Sequence, residues 1–360
     1  MFNNAFKDKR VWLSGHTGFK GAWLSEWLLL LGADVYGYAL APDTQPSLFE
    51  QLGLATRLHH EIADVRDPQS VRASLERARP DFVFHLAAQP LVRRSYSEPV
   101  ETYASNVMGT INVLESLRSI ARPCSAVMVT TDKCYENREH GVPYREEDHL
   151  GGRDPYSSSK AMAEIAIAAY RQSYFSTENS PLRVASARAG NVIGGGDWAL
   201  DRILPDCMRA LQSGAPIPVR NRLATRPWQH VLEPLSGYLW LAATMAQSVR
   251  FPSALNFGPH PESNRSVEEL VLEILHHWPG EWLDQSDPTS LHEAKLLSLS
   301  IEKASQTLNW KPVWNFRQTL LHTVEWYRSI HLHPVQSSSL THTQLAAYYA
   351  DAKSAKLAWT

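Results

Sequence analysis

Cysteine is scarce: Cys124, Cys134 and Cys207 are the three in 360 residues. An odd number with no C-x-x-C spacing excludes a disulfide framework and a zinc ribbon, and points to a reducing, cytoplasmic setting. An excess of one charge is missing too. Lys and Arg number 35 against 37 Asp and Glu, a formal charge of −2, so the basic footprint that nucleic acid or an anionic membrane selects is absent. The apolar stretches at 27–31 and 238–246 fall well short of the roughly 18 residues that cross a bilayer. The first ten residues, MFNNAFKDKR, lack the apolar core of a secretory signal. Histidine is abundant but forms no H-E-x-x-H, and the pairs His59-His60 and His276-His277 splay apart on a strand or a helix, so no metal is expected. No fixed-period repeat and no low-complexity tract is present.

What is there is ordinary globular composition, 44% hydrophobic and 20% charged, enough to bury one large or two smaller cores. Short apolar runs at 10–14, 34–39, 58–62, 82–86, 126–130 and 183–187 alternate with helical patterns at 18–31, 69–79, 100–119 and 155–174. That rhythm predicts an α/β fold, a doubly wound parallel sheet of Rossmann type. After Ala189 it breaks into a Gly-, Pro- and Arg-rich stretch that reads as binding loops. Helical patterns resume at 233–247, 266–277 and 317–328, with a short strand at 255–258. A dinucleotide-binding domain is expected over 1–189 plus about 228–258, and a smaller substrate domain over about 190–227 plus 259–330. The last thirty residues, 331–360, read as a tail of doubtful order.

Directly after the first strand stands Gly15-His16-Thr17-Gly18-Phe19-Lys20-Gly21, a G-x-x-G-x-x-G that opens a helix. Gly15 permits the tight turn, Gly18 lets backbone approach a pyrophosphate, and Gly21 packs helix against strand, while the helix N-terminus offers free N–H groups to phosphate. A Gly-rich turn without ligand shares the pattern; the strand before and the helix after favour the dinucleotide site. Asp43, at the end of the second strand, is equally readable as a ribose ligand or a surface turn, so it barely separates NAD from NADP. Asp64 suits an adenine amino group, with Asp67 the better cap for the next helix. Tyr156 and Lys160 lie one helical turn apart on one face. An ammonium beside a phenol lowers its pKa and makes Tyr156 a usable base for a sugar hydroxyl. Thr130-Thr131-Asp132-Lys133 closes the fifth strand, on the side where ligands bind in open α/β sheets.

These residues identify the chain as resembling extended short-chain dehydrogenases/reductases of the nucleotide-sugar type. The blocks GHTGFKGAWL, HLAAQPLVRRSY, TTDKCYEN, YSSSK, NVIGGGDWALDRILPD and RPWQHVLEPLSGYL are similar to those of CDP-glucose 4,6-dehydratases, over residues 10 to about 330. The resemblance implies NAD as cofactor, CDP-glucose as substrate and a homodimer or higher homo-oligomer. It assigns Thr131, Tyr156 and Lys160 to hydroxyl binding and oxidation, and Asp132 with Lys133 to dehydration. Lys133 replaces the glutamate most relatives carry, which leaves two roles open, C5 base if burial neutralises it or enolate stabiliser if it pairs with Asp132, and the base role is the one expected. Asn191 and Arg226 are implied at the sugar nucleotide, with Trp228 and His230 weaker candidates. Gly15, His16, Gly18, Phe19, Gly21 and Asp64, together with Tyr156 and Lys160, are implied at the cofactor. His16 stands where relatives often have a small residue, so its ring is expected to crowd the pyrophosphate turn and loosen NAD. A nucleotide-sugar 4-epimerase and a non-catalytic dinucleotide sensor remain as alternatives. The Ala-rich face at Ala161, Ala163, Ala166, Ala168 and Ala169 suits close helix approach, though Ala is also simply a good helix former.

Overall fold

Six of the apolar runs form strands in the computed structural model, which describes residues 1–139, 141–175, 180–248, 250–286, 297–333 and 336–360. They are β1 (Arg10–Ser14), β2 (Asp34–Ala39), β3 (His59–Ile62), β4 (Phe82–His85), β5 (Cys124–Val129) and β6 (Leu182–Ala189). With the strand Ala254–Phe257 they make one seven-stranded parallel sheet, ordered Ala254–Phe257, β6, β5, β4, β1, β2, β3. The reversal of order falls between β1 and β4, where Trp12 pairs with Tyr36 on one side and Val83 on the other. Every residue of β4 and β5 is buried, the pattern of a sheet covered by helices on both faces.

Helix α1 (Phe19–Leu30) carries Trp23 and Trp27 into the larger core. It is apolar nearly all round because it is packed on both sides. Beneath its outer face lies the end of the chain. Residues 331–360, read as a doubtful tail, contain the helix Ser337–Ser354, and Trp359 is fully buried. The Trp359 ring stacks on Phe2 at 5.1 Å, and Phe2 N–H donates to the Trp359 carbonyl at 2.6 Å. Leu345, Tyr348 and Ala352 form the buried stripe of that helix, an i, i+3, i+7 spacing.

The expected single helix at 100–119 is broken. Pro99–Tyr103 and Gly109–Leu117 are α-helical, and Ala104–Met108 between them is a π-turn. The helix Pro155–Tyr174 is continuous, capped by Asp154, whose Oδ1 accepts from Ser157 N–H at 2.8 Å. Its Ala161 and Ala163 are buried in the molecule, whereas Met162 and Ile165 are exposed, so the small residues do not form one outward face.

Beyond β6 the described residues make three two-stranded pairs: Val192–Ile193 with Gln229–His230, Thr225–Pro227 with Asn264–Ser266, and Ile217–Val219 with Trp282–Asp284. Helices Ile203–Ser213, Val267–His277 and Phe316–Leu332 pack around them. This second layer faces the C-terminal ends of β1, β4 and β5.

Candidate active site

Between the sheet ends and the second layer lies a cavity of about 970 Å³, the size of a site for an extended ligand. Its floor begins at the Gly-rich turn. Gly15 has φ +79°, and a Cβ there would meet Ala87 N at 2.8 Å; one on Gly21 would meet the Gly15 carbonyl at 2.0 Å. Both glycines are therefore required by backbone approach. Gly18 caps α1 without a side-chain hydrogen bond, and the first turn holds no acid. The N–H groups that a helix start leaves unpaired thus open into the cavity with the positive end of the dipole. That cradle fits a pyrophosphate.

His16 does not line the cavity. Its ring is buried, turned onto Gly37 and edge-on to Phe49, with Nε2 2.7 Å from His60 Nδ1. Burial, with His60 beside it, lowers its pKa to about 3. The expectation that a bulky, charged His16 crowds the cofactor is corrected on both counts: the side chain is neutral and packs behind the turn. Asp43 and Asp64 do line the cavity. Asp64 accepts from Arg66 N–H at 2.9 Å and Arg66 Nε at 2.8 Å. Asp67, as anticipated, caps the helix Pro68–Ala78.

At the other end of the cavity, Thr131 follows β5 and caps the single turn Asp132–Cys134. A hydrogen-bonded chain runs from there. The Tyr156 hydroxyl is bonded with Thr131, and Thr131 Oγ1 donates to Asp132 Oδ1 at 2.9 Å. Lys133 Nζ lies 3.5 Å from that oxygen and 3.1 Å from Asn191 Oδ1. Two acceptor oxygens around one amine are a paired arrangement, with Asp132 and Asn191 as its partners. Asp132 is buried; its Oδ1 takes both donors, and Oδ2 faces Gly190.

Tyr156 is buried, and burial pushes its phenol up to about 12 against the opposing hydrogen bond with Thr131. The expected lowering by Lys160 does not occur. Lys160 Nζ points to the Val129 carbonyl at 3.5 Å, and the charges that reach the phenol belong to Asp132, Arg202 and Asp154. Lys160 is itself lowered to about 8 by burial, which Glu164 opposes. Asn191 and Arg226 also line the cavity, Arg226 donating to its neighbour's carbonyl, Thr225 O, at 2.8 Å. Trp228 lines it and is otherwise core; His230 is buried against Trp314.

Three residues that the sequence did not single out belong here. Arg202, held by Asp197 at 2.9 Å, lines the cavity near Tyr156. Asn106, in the π-turn, is buried and ties the loop at Gln89 to the catalytic helix: its Nδ2 donates to Gln89 O at 3.1 Å and Ser159 Oγ at 2.9 Å. Lys20 lines the cavity from the first turn of α1. A polar residue inside an otherwise helical apolar pattern was the available signal for Asn106; nothing in spacing marked Arg202.

Among the described residues no group of three or more potential ligands could hold a metal, and no helix is long and apolar enough to cross a membrane.

The family description GDP-mannose 4,6 dehydratase matches residues 13–255. The chain is 45% identical over 332 residues to CDP-glucose 4,6-dehydratase of Salmonella typhimurium, covering 91% of this chain and 92% of that one. It is 29% identical to dTDP-glucose 4,6-dehydratase of Streptomyces antibioticus, covering 70% and 71%. Among solved structures, dTDP-glucose 4,6-dehydratase of Bacillus anthracis in complex with NAD superposes with TM-score 0.72 at 21% identity, over 89% of this chain and 96% of that one. UDP-glucose 4-epimerase of Thermotoga maritima with UDP-glucose gives TM-score 0.76 at 20% identity, over 89% and 98%. At that identity the last two speak to the fold.

Proposed function

The chain belongs to the GDP-mannose 4,6-dehydratase family, and from that premise we propose that it converts CDP-D-glucose to CDP-4-keto-6-deoxy-D-glucose and water, with NAD as an internally recycled cofactor. The observation that carries this reading is the carboxyl of Asp132, buried and joined through Thr131 to Tyr156. Oxidation at C4 alone needs Tyr156; an acid beside it is what departure of the C6 hydroxyl requires. An epimerase has no use for it.

NAD fits the uncapped start of α1 and the glycine turn, and when bound it supplies the hydride acceptor for C4, the hydride donor for C6 and a positive ring that favours the Tyr156 phenolate. Gly15, Gly18, Phe19 and Gly21 receive the pyrophosphate, Asp64 faces the adenine end, and Lys160 holds the ribose. Tyr156 takes the C4 hydroxyl proton while Thr131 holds that hydroxyl in place. The resulting ketone acidifies the C5 hydrogen. Lys133, held as an ammonium by Asp132 and Asn191, stabilises the oxyanion that develops as the C5 proton leaves. Asp132, the carboxylate of that pair, takes the C5 proton on Oδ2 and delivers it to the departing C6 hydroxyl, so that water leaves; C6 then gains a hydride and C5 a proton in place of the one lost to water, and the overall change is loss of one water. Asn191 and Arg226 bind the diphosphate of the sugar nucleotide, Arg226 with the fork that suits phosphate oxygens.

A homodimer through the helices around residues 99–117 and 155–174 is part of this proposal, supported by Val100, Met108, Met162 and Ile165, all exposed there. A cytoplasmic setting agrees with three free, buried cysteines.

Incubation of the purified protein with CDP-glucose tests the reading. The expected product has lost one water and absorbs in alkali as a 4-keto sugar. CDP-galactose as product would establish the epimerase instead, and unchanged substrate would leave a binder. Equal turnover of dTDP-glucose or GDP-mannose would remove cytosine from the assignment.

A further inference from the structure

Lys20 is the sixth residue of the Gly-rich turn and the second of α1, and the proposed chemistry gives it no part. Lys20 lines the cavity, and its amine has an unusual set of neighbours. The one hydrogen-bond partner among the described residues is the Tyr238 hydroxyl, 3.4 Å away, and the ammonium lies 5.7 Å from that ring's centroid. No carboxylate within ion-pair distance accompanies it among the described residues. The charges that face it are Arg202 from the second layer, Lys160 from the catalytic helix and Asp132 from the end of β5, two of one sign against one of the other. Tyr156 lies within electrostatic reach of Tyr238.

These neighbours fix which half of a dinucleotide Lys20 would meet. With the pyrophosphate on the start of α1, the adenine half runs toward Asp64 and Arg66 and the nicotinamide half toward Tyr156 and Lys160. Lys20 is coupled to Lys160, Asp132 and Arg202 and to nothing at the adenine end. A cation on that side acts on the one part of the cofactor whose charge changes in the reaction: the oxidised ring is positive and the ring that has taken up a hydride, two electrons and a proton from sugar C4, is neutral.

We propose that Lys20 tunes the redox balance of the cofactor, its ammonium disfavouring the oxidised nicotinamide relative to the reduced one and so favouring hydride uptake from the sugar. The inference rests on the reading of NAD as cofactor. It also explains why so buried a charge is kept without a counterion: a carboxylate beside it would cancel the effect. Burial lowers Lys20 to about 7, so the charge is present below neutrality and fades above it.

The test compares affinities rather than turnover. Nucleotide-free protein is titrated with NAD⁺ and, separately, with NADH at pH 6 and pH 8, for wild type, Lys20→Met and Lys20→Arg. At pH 6 the ratio of the NAD⁺ to the NADH dissociation constant should be about tenfold higher in wild type than in Lys20→Met, equivalent to about 30 mV for a two-electron couple. At pH 8 that difference should shrink to about twofold, and Lys20→Arg, charged throughout, should hold the pH 6 ratio. Arg202, Lys160, Asp132, Tyr156 and Tyr238 are common to all three proteins, so their own titration drops out of the comparison. Equal weakening of both forms in Lys20→Met would make Lys20 a phosphate ligand and overturn the proposal, as would an unchanged ratio. Failure of wild type to bind either form would instead sink the NAD reading itself, and the proposal with it.

Discussion

Tyr156 starts as a poor base. With its phenol pushed up to about 12 by burial, few molecules carry a phenolate at neutral pH, and Lys160 does not remedy this because its amine is aimed at Val129. The groups left to favour phenolate are Thr131, Arg202 and the positive ring of the proposed cofactor. Tyr156→Phe should therefore retain NAD binding and fold while C4 oxidation falls by about 10²–10⁴-fold; normal turnover by that variant would remove Tyr156 from the reaction. Lys133 separates the later step. Lys133→Met should still oxidise C4, leaving reduced cofactor and a 4-ketoglucose nucleotide on the protein, but should fail to exchange the C5 hydrogen with solvent deuterium. Exchange at the wild-type rate would show that the Lys133 charge is not needed there. The contact of Lys133 with Asn191 was not legible in sequence, since the two are 58 positions apart in the chain and 3.1 Å apart in space.

Helix boundaries were legible where local chemistry sets them. Asp154-Pro155 announces the catalytic helix, because an aspartate accepts the early N–H groups and proline lacks one that would go unpaired. Asp154 accepts from both the Ser157 N–H and its hydroxyl. Asp154→Ala should cost about 1 kcal/mol in urea unfolding, and because Tyr156 sits in that first turn it should lower turnover as well. Stability and turnover both at wild-type values would mean that the turn is held from elsewhere. The neighbouring element shows the opposite case. Periodicity at 100–119 reads as one helix because the apolar face continues through the π-turn; the irregularity is imposed by Asn106, whose amide bonds to the Gln89 loop and to Ser159, partners that no local pattern reveals. His16 failed for a related reason. The turn was read correctly, but the direction of a side chain within it is set by Gly37, His60 and Phe49, which come from three other places in the sequence.

At the scale of the molecule, the buried ionisable groups give the fold a pH dependence whose sign can be worked out. His16 and His85 are lowered to about 3 and His230 well below its ordinary value, all chiefly by burial. Each stays neutral in the folded chain and takes up a proton on unfolding below pH 6.5, so each removes stability as pH falls. Glu233 acts in the other direction. Buried under the last helix, where it accepts from Trp314 N–H at 2.7 Å and the Tyr348 hydroxyl at 2.7 Å, it is raised to about 7. Glu146 is also raised by burial. A folded chain that holds an extra carboxyl proton on Glu233 up to about pH 7 gains stability from that group as pH falls toward 4.5. His60 and His322 are lowered by burial as well, so the groups that bind a proton on unfolding outnumber the two that release one, and stability falls as pH falls over this window. The urea midpoint should accordingly fall between pH 6.5 and pH 5. His85 offers a clean check, since its Nδ1 lies 2.7 Å from Ser14 Oγ and its Nε2 3.2 Å from Thr110 Oγ1, hydroxyls that can turn to serve an amide. His85→Gln should lose some stability at pH 6.5, yet the fall toward pH 5 should be shallower than in wild type. Parallel curves for the two proteins would mean that His85 binds its proton in the folded chain as readily as in the unfolded one.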